Sequence, residues 1–263
     1  MEIIVLVKQV PDTTEVKLDP KTGNLIREGI ESIINPDDRH AIEAAVTLRE
    51  QYGGKVTAIS MGPPQAIDAI SEAMGMGVDQ GILLSDKAFA GADTWATSFT
   101  LGKAIEKVGE FDLVICGRQA IDGDTAQIGP QVADYLDIPQ VTYVFDIEKV
   151  EGDSVLVKRR LEDGYERIQC PIPALLTVIG ELNEPRFAMV DRLLDACKEK
   201  APIKVWNTAD LGLQVRDVGL AGSLTQVIKT FAPKTERKSQ ILEGDVPRVV
   251  NELLGKLKEN RLI

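Results

Sequence analysis

The sequence predicts an α/β fold in which a parallel sheet is covered by helices on both faces. Four short apolar runs recur through the first half of the chain, and an amphipathic helical pattern follows each of them. Near-continuous apolar strands that alternate with helices are typical of parallel sheets buried on both sides. Residues 141–170 instead show strand-like runs separated by turns, which predicts an antiparallel meander or hairpin added to the sheet.

The alternating elements follow one another in a regular order. Strands are predicted at the apolar runs 3–7, 55–60, 80–85 and 111–116. Helices are predicted after these strands, at residues 38–53, 65–77, 94–109 and 125–137. The first three helices end near a glycine, which is the residue favoured just past a helix C-terminus. Because ligands of such folds bind at the carboxyl ends of the strands, the loops that follow the strands form the candidate site.

The second half of the chain is less regular. Residues 174–180 predict another buried strand, and residues 182–200 predict a polar loop that leads into a helix or an extended segment. An amphipathic helix is predicted over 247–260, where apolar residues recur at helical spacing at Val249, Val250, Leu253, Leu254 and Leu257. We therefore divide the chain into an α/β domain of residues 1–232 and a C-terminal arm of residues 233–263.

Composition narrows the class of function. The chain has 41 acidic and 30 basic residues and a net charge of −11, which argues against non-specific binding to nucleic acid or to anionic membranes. No apolar run approaches the roughly 20 residues that span a bilayer. The first ten residues, MEIIVLVKQV, lack the basic region and cleavage site of a signal peptide. These features predict a cytoplasmic protein without membrane insertion.

Cysteine and histidine offer little chemistry of their own. Cys116, Cys170 and Cys197 have no metal-ligand spacing, and we expect Cys116 to be a buried thiol at the end of a strand. His40 is the only histidine, which disfavours a histidine-based zinc site and a serine–histidine triad. We expect His40 to be a surface or loop residue without a catalytic role.

The loop after the fourth predicted strand, 116-CGRQAIDGDT-125, contains both glycines and aspartates. The two commonest phosphate loops are absent: no Gly-Lys-Ser/Thr ending occurs, and residues 8–16 stand where a three-glycine dinucleotide fingerprint would be. Backbone N–H groups at a strand-to-helix junction can still hold phosphate. Asp122 or Asp124 is then expected to cap the following helix or to meet a ribose hydroxyl.

Other residues of these loops fit the same interpretation. Arg118 could neutralise an anion, and Gly117 and Gly123 permit close backbone approach. A similar helix start lies at residues 91–98, where Asp93 or Thr94 would cap the third helix. Capping without any ligand is the alternative for each loop alone, but the two loops at adjacent strand ends favour a nucleotide.

A magnesium site is a rival interpretation of the acidic loop. Asp122 and Asp124 could supply the one or two carboxylates that Mg²⁺ commonly takes together with phosphate oxygens. No other acidic residue is obviously placed to complete such a site.

The run 117-GRQAIDGDTAQIGPQVA-133 resembles the signature of the small (beta) subunit of electron-transfer flavoproteins. The opening VLVKQVPD, the Asn35–Pro36 pair and the runs 60–66 and 182–188 extend the resemblance from Met1 to the tail. It implies a Rossmann-like subunit of a heterodimer, in which the large (alpha) subunit carries an FAD and the small subunit in most members buries a structural AMP. It also implies that the C-terminal arm contacts the large subunit, although the arm's helix is equally consistent with packing on its own domain.

The resemblance also implies which residues contact the nucleotide. They lie at the first strand end, around the Asn35–Pro36 pair, after the second long strand and along the signature. The residues are Leu6, Val7, Asn35, Pro36, Asp37, Asp38, Met61, Gly62, Gly117, Arg118, Gln119, Ala120, Ile121, Asp122, Gly123, Asp124, Thr125, Ala126, Gln127 and Ile128.

One subfamily departs from this plan. Its members bifurcate electrons: they hold a second FAD in place of AMP, and NADH binds near that flavin. Residues 89–98 and 223–234 resemble segments of this subfamily, and a small polar helix start at Asp93, Thr94 and Thr97 would leave room for a flavin ring. A flavin needs donors near its N1, N5 and carbonyl oxygens, and Thr94, Thr97, Gln119 and Arg118 are plausible suppliers. The redox chemistry would then belong to the flavin-containing complex, which leaves open whether this subunit is an enzyme.

The resemblance implies partners as well. Residues 182–194 correspond to the loop by which family members dock on dehydrogenases, with Met189 and Val190 as exposed apolar anchors. An acyl-CoA dehydrogenase-type acceptor and a ferredoxin or flavodoxin are the expected partners. The alternatives are a housekeeping electron carrier with a structural AMP and a stand-alone nucleotide-binding module, in which the tail and the 182–194 loop would have no role.

Overall fold

A computed structural model describes residues 1–12, 17–18, 25–26, 31–228 and 239–263, with backbone alone for 17–18 and 25–26. The chain forms two compact units, Met1–Ile228 and Lys229–Ile263. The predicted boundary between residues 232 and 233 lies outside the described residues. Residues 229–234 of the segment 223–234 and residues 13–16 of the run 8–16 also lie outside the described residues.

Within the described residues the strands are β1 (Glu2–Leu6), β2 (Gln9–Pro11), β3 (Lys17–Leu18), β4 (Leu25–Ile26), β5 (Ser32–Ile34), β6 (Lys55–Met61), β7 (Gln80–Leu84), β8 (Leu113–Gly117), β9 (Gln140–Glu151), β10 (Ser154–Leu161), β11 (Gly164–Pro171), β12 (Ala174–Val178) and β13 (Ile203–Trp206). The α-helices are α1 (Pro36–Tyr52), α2 (Ile67–Met76), α3 (Thr94–Val108), α4 (Ile128–Tyr135), α5 (Val190–Ala196), α6 (Gly219–Gly222) and α7 (Val246–Glu259).

The first unit is built on a nine-stranded sheet with the order β11-β10-β9-β12-β8-β1-β6-β7-β13. The neighbours from β9 to β13 in this order pair in parallel, whereas β10 pairs antiparallel with both β9 and β11. This confirms the predicted parallel sheet with an added antiparallel hairpin. From β1 the chain first builds outward through β6 and β7, and it then returns to place β8 on the other side of β1. The order of the strands therefore reverses between β1 and β8, which is the switch point of the sheet.

Both faces of the sheet are covered, as predicted. In β1, Ile3 and Val5 point to the face on which α1 and α2 pack, whereas Ile4 and Leu6 point to the face covered by α3 and α4. This alternation follows from the two-residue period of a strand. Three of these helices, α1, α2 and α3, end at glycines with positive φ, namely 73° at Gly53, 127° at Gly77 and 103° at Gly109.

One helix begins later than predicted. The helix predicted over 125–137 begins only at Ile128, because Asp124 and Ala126 have φ values of 52° and 53°, which an α-helix does not allow. In the segment 182–200 the predicted loop leads into the short helix α5. The strands predicted over 141–170 form a three-stranded meander, in which β9 belongs to the parallel part as well as to the antiparallel part.

In the second unit, α7 confirms the helix predicted over 247–260. Of its apolar residues, Val250, Leu253 and Leu254 are exposed. Among the helices that the structure describes, none combines the length and the apolarity needed to cross a membrane.

Candidate functional site

The candidate site lies at the carboxyl ends of β1 and β8, where the strand order reverses. Leu6 at the end of β1 is in register with Ile59 of β6 on one side and with Cys116 of β8 on the other. We call the region formed by residues 7–8, residues 35–38 and loop 118–127 the switch-point crevice. Folds of this type bind ligands in this position.

The carboxylate of Asp38 joins the two strands that border the crevice. One oxygen accepts the N–H of Lys8 at 2.8 Å and the other accepts the N–H of Gly117 at 3.0 Å. Asp38 is only 6% exposed, and burial raises the pKa of its carboxyl to about 7 even though these N–H donors favour the charged form. The side chain of Asp38 is therefore used inside the protein to fix the ends of β1 and β8.

Asn35 performs a similar task for loop 118–127. Its side-chain amide donates to the carbonyl oxygen of Gln119 at 2.9 Å, and its amide oxygen accepts the N–H of Ile121 at 3.1 Å. The residue is fully buried, and its side chain makes no cap bond to α1. The first turn of α1, which begins at Pro36, thus holds loop 118–127 in place.

Asp122 and Asp124 do not cap the following helix, so the first of the two roles predicted for them is wrong. The residue before α4 is Gln127, and α4 has no side-chain cap. Asp122 instead accepts two hydrogen bonds from the Lys8 ammonium, at 2.7 and 2.8 Å, and Asp124 accepts one from the Gln119 side chain.

The magnesium interpretation gains no support. Within the described residues, no group of three or more histidine, cysteine, aspartate or glutamate side chains could hold a metal ion.

The end of loop 118–127 presents a run of unused donors. In the described part of the chain, the backbone N–H groups of Thr125, Ala126 and Gln127 have no hydrogen-bond acceptor. Asp124 and Ala126 have positive φ and Gln127 is right-handed, and left- and right-handed residues in succession are typical of anion-binding backbone turns. The N-terminus of α4 follows directly, and its dipole also favours negative charge. This donor set fits a phosphate or pyrophosphate group.

The glycines of the crevice differ in what they permit. A Cβ added at Gly117 would lie 2.4 Å from a carboxylate oxygen of Asp38 and 2.7 Å from the Cβ of Asp37, so the start of α1 requires a glycine at this position. At Gly123 a Cβ would meet nothing within 4 Å, so that position requires no glycine for space inside the chain. At Gly62, just after Met61 ends β6, a Cβ would come within 2.8 Å of the Ala66 side chain.

Arg118 is directed at groups of the protein itself. Its Nε lies 3.8 Å from a carboxylate oxygen of Asp37 and makes no hydrogen bond, and its guanidinium lies 5.5 Å from the centre of the Tyr143 ring. Burial raises the pKa of Asp37, and the charge of Arg118 offsets part of this effect. Tyr143 has a φ of 58°, which is rare for a residue with a Cβ and occurs most often near functional sites.

The start of α3 is the second polar region. Asp93 caps this helix by accepting the N–H of Ala96 at 2.9 Å, which confirms the predicted cap. The other oxygen of Asp93 accepts the N–H and hydroxyl of Thr225 at 2.9 and 3.0 Å, and the Asp93 N–H donates to the Ser223 hydroxyl at 2.8 Å. Burial would raise the pKa of Asp93, but the hydrogen bonds from Ala96 and Thr225 outweigh it and hold the pKa below the usual value. The two segments that sequence singled out, 89–98 and the start of 223–234, therefore meet at Asp93.

A side-chain network links this helix start to loop 118–127. The Thr94 hydroxyl donates to Gln127 at 3.0 Å and accepts from Gln131 at 3.3 Å, and Ser98 donates to Gln131 at 3.2 Å. Thr97 lies less than one turn further along α3 and is partly exposed. The starts of α3 and α4 thus form one polar surface beside the crevice.

The predicted docking residues are exposed. Met189 is 55% exposed and Val190 is 72% exposed. Sequence reasoning missed Phe187, which is 90% exposed and precedes them in the same loop. An aromatic residue within the polar stretch 182–188 is the signal that could have identified it.

The loop 182–189 is fixed to α1. Arg186 makes hydrogen-bonded ion pairs with Glu43 and Glu50, with N–O distances from 2.7 to 3.1 Å. Near the start of the same loop, Asn183 hydrogen-bonds to His40 at 3.0 Å. His40 is therefore a partly buried residue of α1 with a structural partner, which corrects the expectation of a surface or loop position.

Comparisons with known proteins agree with this architecture. A family model described as the electron transfer flavoprotein domain matches residues 22–211. The chain is 53% identical over 263 residues to the electron transfer flavoprotein subunit beta of Thermoanaerobacterium thermosaccharolyticum, and 100% of each chain is covered. It is 50% identical over 265 residues to the caffeyl-CoA reductase-Etf complex subunit CarD of Acetobacterium woodii, again with 100% of each covered.

A third relative is an electron transfer subunit of a reductase. The acryloyl-CoA reductase electron transfer subunit gamma of Anaerotignum propionicum is 44% identical over 271 residues, with 100% of each chain covered. These matches leave the stand-alone nucleotide-binding module without support. The chain belongs to the electron transfer flavoprotein family, as a beta subunit.

Proposed function

We propose that this subunit binds FAD at the switch-point crevice and takes part in NADH-dependent electron bifurcation together with an alpha subunit. Ferredoxin or flavodoxin would be the low-potential acceptor, and an acyl-CoA dehydrogenase-type protein would receive the high-potential electrons. The observation that carries the proposal is the run of three N–H groups without acceptors at residues 125–127, next to the polar start of α3.

The phosphate part of the ligand has a defined place in this proposal. The N–H groups of Thr125, Ala126 and Gln127 would hold the pyrophosphate, with the N-terminus of α4 behind them. Because Asn35 and Asp38 are occupied by loop and strand N–H groups, they would act by positioning loop 118–127. The carboxylates of the loop are engaged by Lys8 and Gln119 and are not the partners of the anion.

The flavin ring has candidate donors at the start of α3. Thr94 hydrogen-bonds to the side chains of Gln127 and Gln131, and it leaves more room than a larger residue would. Thr97, Gln119 and Arg118 are the further candidates for hydrogen bonds to the ring. When bound, the flavin would supply the electron transfer, and the chain would set the polarity and the access of water around it.

The names of two relatives support a CoA-linked partner. One is a subunit of a caffeyl-CoA reductase–Etf complex and another is an electron transfer subunit of an acryloyl-CoA reductase. Exposed Phe187, Met189 and Val190 would form the docking surface for the corresponding dehydrogenase or reductase. The C-terminal arm with α7 would contact the alpha subunit through apolar side chains such as Val250, Leu253 and Leu254.

A structural AMP is the second candidate ligand. The N–H groups at residues 125–127 need only one phosphate to satisfy them, so they suit AMP as well as FAD. The two ligands differ at the start of α3, because AMP has no flavin ring to place there.

A bulky residue at Thr94 tests the placement of the ring. In the purified heterodimer, Thr94→Trp should lower the FAD content of this subunit and leave an AMP site intact. Glu106→Trp, on the exposed side of the same helix, is the matched control and should retain the wild-type FAD content. An unchanged FAD content in Thr94→Trp would show that the ring does not lie at the start of α3.

A further inference from the structure

The side chain of Lys8 starts from a backbone that is held on both sides. Its N–H donates to Asp38 at 2.8 Å, and its carbonyl oxygen accepts the N–H of Asn35 at 2.9 Å. Lys8 lies two residues after Leu6, the last residue of β1, at the switch point of the sheet. The lysine side chain is therefore anchored at the crevice, and only its flexible stem has freedom to move.

The ammonium of Lys8 binds both oxygens of Asp122, at 2.7 and 2.8 Å. In the described part of the chain, neither residue makes another ion pair. Their side chains are 46% and 33% exposed, so water screens the pair and either group can change partner at little cost. An ion pair of this kind is suited to exchange rather than to holding a fold together.

The charge balance of the crevice gives this pair a task. A phosphate held by the N–H groups of residues 125–127 would share a loop with the carboxylates of Asp122 and Asp124. Like charges within one short loop repel one another, so an added phosphate requires a cation beside it. Arg118 lies against Asp37 and the Tyr143 ring. Lys8 reaches the loop from β1 through its contact with Asp122, and a lysine ammonium is a compact charge with three donors on a flexible stem.

We propose that Lys8 is a phosphate ligand of the nucleotide site and that it exchanges the carboxylate of Asp122 for a phosphate oxygen when a nucleotide binds. This inference rests on the proposed function, because it requires a nucleotide in the crevice. It adds a side chain that favours phosphate-bearing ligands over nucleosides, and it assigns opposite effects to the two members of one ion pair.

Titration calorimetry of the full chain with ADP and with adenosine tests the proposal. ADP is the probe because it contains AMP and is itself a part of FAD, whereas adenosine lacks phosphate. Lys8→Met should weaken ADP binding about tenfold, the effect of losing one charge-assisted hydrogen bond, and should leave adenosine binding unchanged. Asp122→Asn should leave ADP binding as tight or make it tighter, because it removes the competitor for Lys8.

Further variants guard against misfolding. Lys8→Arg should retain most of the ADP affinity, and thermal unfolding should show that each variant keeps the wild-type midpoint within a few degrees. Parallel losses of ADP and adenosine affinity in both Lys8→Met and Asp122→Asn would overturn the inference and reduce the pair to a loop contact. A wild-type chain that binds neither ADP nor adenosine would instead overturn the proposed function, and this inference with it.

Discussion

Asp38 and Gly117 are joined by a hydrogen bond of 3.0 Å between a carboxylate oxygen and a backbone N–H, although 79 residues separate them in the sequence. The second oxygen of Asp38 holds the N–H of Lys8 at 2.8 Å. One side chain in the first turn of α1 thus fixes the ends of two neighbouring strands. Because loop 118–127 begins immediately after Gly117, the proposed phosphate site depends on this contact.

Gly117→Ala should distort this junction. The added Cβ would lie 2.4 Å from the Asp38 carboxylate and 2.8 Å from the backbone carbon of Asp37, and backbone cannot move aside as easily as a flexible side chain. We expect the free energy of unfolding to fall by about 1–3 kcal/mol and nucleotide affinity to fall with it. Gly123→Ala is the matched control in the same loop, since its Cβ meets nothing within 4 Å. Equal stability of the two variants in urea unfolding would contradict the described packing.

Asp38 should give the stability a distinctive pH dependence. Its folded pKa of about 7 lies above the usual value of 3.8, so between these values the folded state binds a proton that the unfolded state has released. The contribution of Asp38 to the free energy of unfolding is therefore largest at low pH and declines as pH rises toward 7, by at most about 1.4 kcal/mol per pH unit.

Asp38→Asn removes this titration. Urea unfolding of wild type and variant should be compared at several values between pH 4.5 and 8. The free energy of unfolding of the wild type should fall relative to that of the variant as pH rises, and the change should level off above about pH 7. A difference that stays constant over this range would mean that Asp38 keeps an ordinary pKa in the folded chain.

Arg186→Met should weaken the attachment of loop 182–189 to α1. The variant leaves Glu43, which is 9% exposed, with the Thr47 hydroxyl at 3.2 Å as its remaining side-chain partner. We expect the free energy of unfolding at pH 7 to fall by about 1–3 kcal/mol, between the values typical of exposed and of buried ion pairs. Burial opposes ionisation of Glu43, but the bonds from Arg186 outweigh it and lower the pKa of Glu43. The difference in free energy of unfolding between variant and wild type should therefore shrink as pH falls below 4.5, the usual pKa of a glutamate.

The control for this variant is Arg192→Met. Arg192 is exposed on α5 and makes no salt bridge among the described residues. Thermal unfolding at pH 7 should place Arg192→Met close to the wild type, and equal destabilisation by both variants would exclude a specific role for the Arg186 ion pairs.

Phe187→Ala should impair electron transfer to a partner without affecting the subunit itself. The side chain is 90% exposed, so its removal costs the folded chain little, whereas an exposed aromatic residue is a common anchor of a protein interface. We expect kcat/KM for the partner dehydrogenase to fall about tenfold, with nucleotide content and thermal unfolding unchanged. Tyr165→Ala, which removes another exposed aromatic residue on β11, should leave that rate at the wild-type level.

The fold could be predicted because its signals are local. Apolar runs marked β1, β6, β7 and β8, and glycines marked the ends of α1 to α3. The start of α4 was misplaced because the sequence gives no sign that Asp124 and Ala126 adopt positive φ. Neither residue is a glycine, and Asp124 is held by contacts with Gln119 and Ala120 that no local sequence pattern indicates.

The position of the site could be predicted from sequence, but the hydrogen-bond and ion-pair partners within it could not. The signature run and the strand ends identified the crevice, and Asp93 capped α3 as predicted. The partners of Asp122 and Asp38 could not be inferred, because Lys8 is 114 residues from Asp122 and Gly117 is 79 residues from Asp38. Such pairs form only when the parallel strands bring distant loops to one edge of the sheet.

The most direct test of the proposed function is the nucleotide content of the heterodimer, released by denaturation and separated by chromatography. Two FAD molecules and no AMP per heterodimer are the predicted result, with the second FAD in this subunit. One FAD and one AMP would contradict it, and the subunit would then serve a single-flavin electron carrier with AMP at the switch-point crevice.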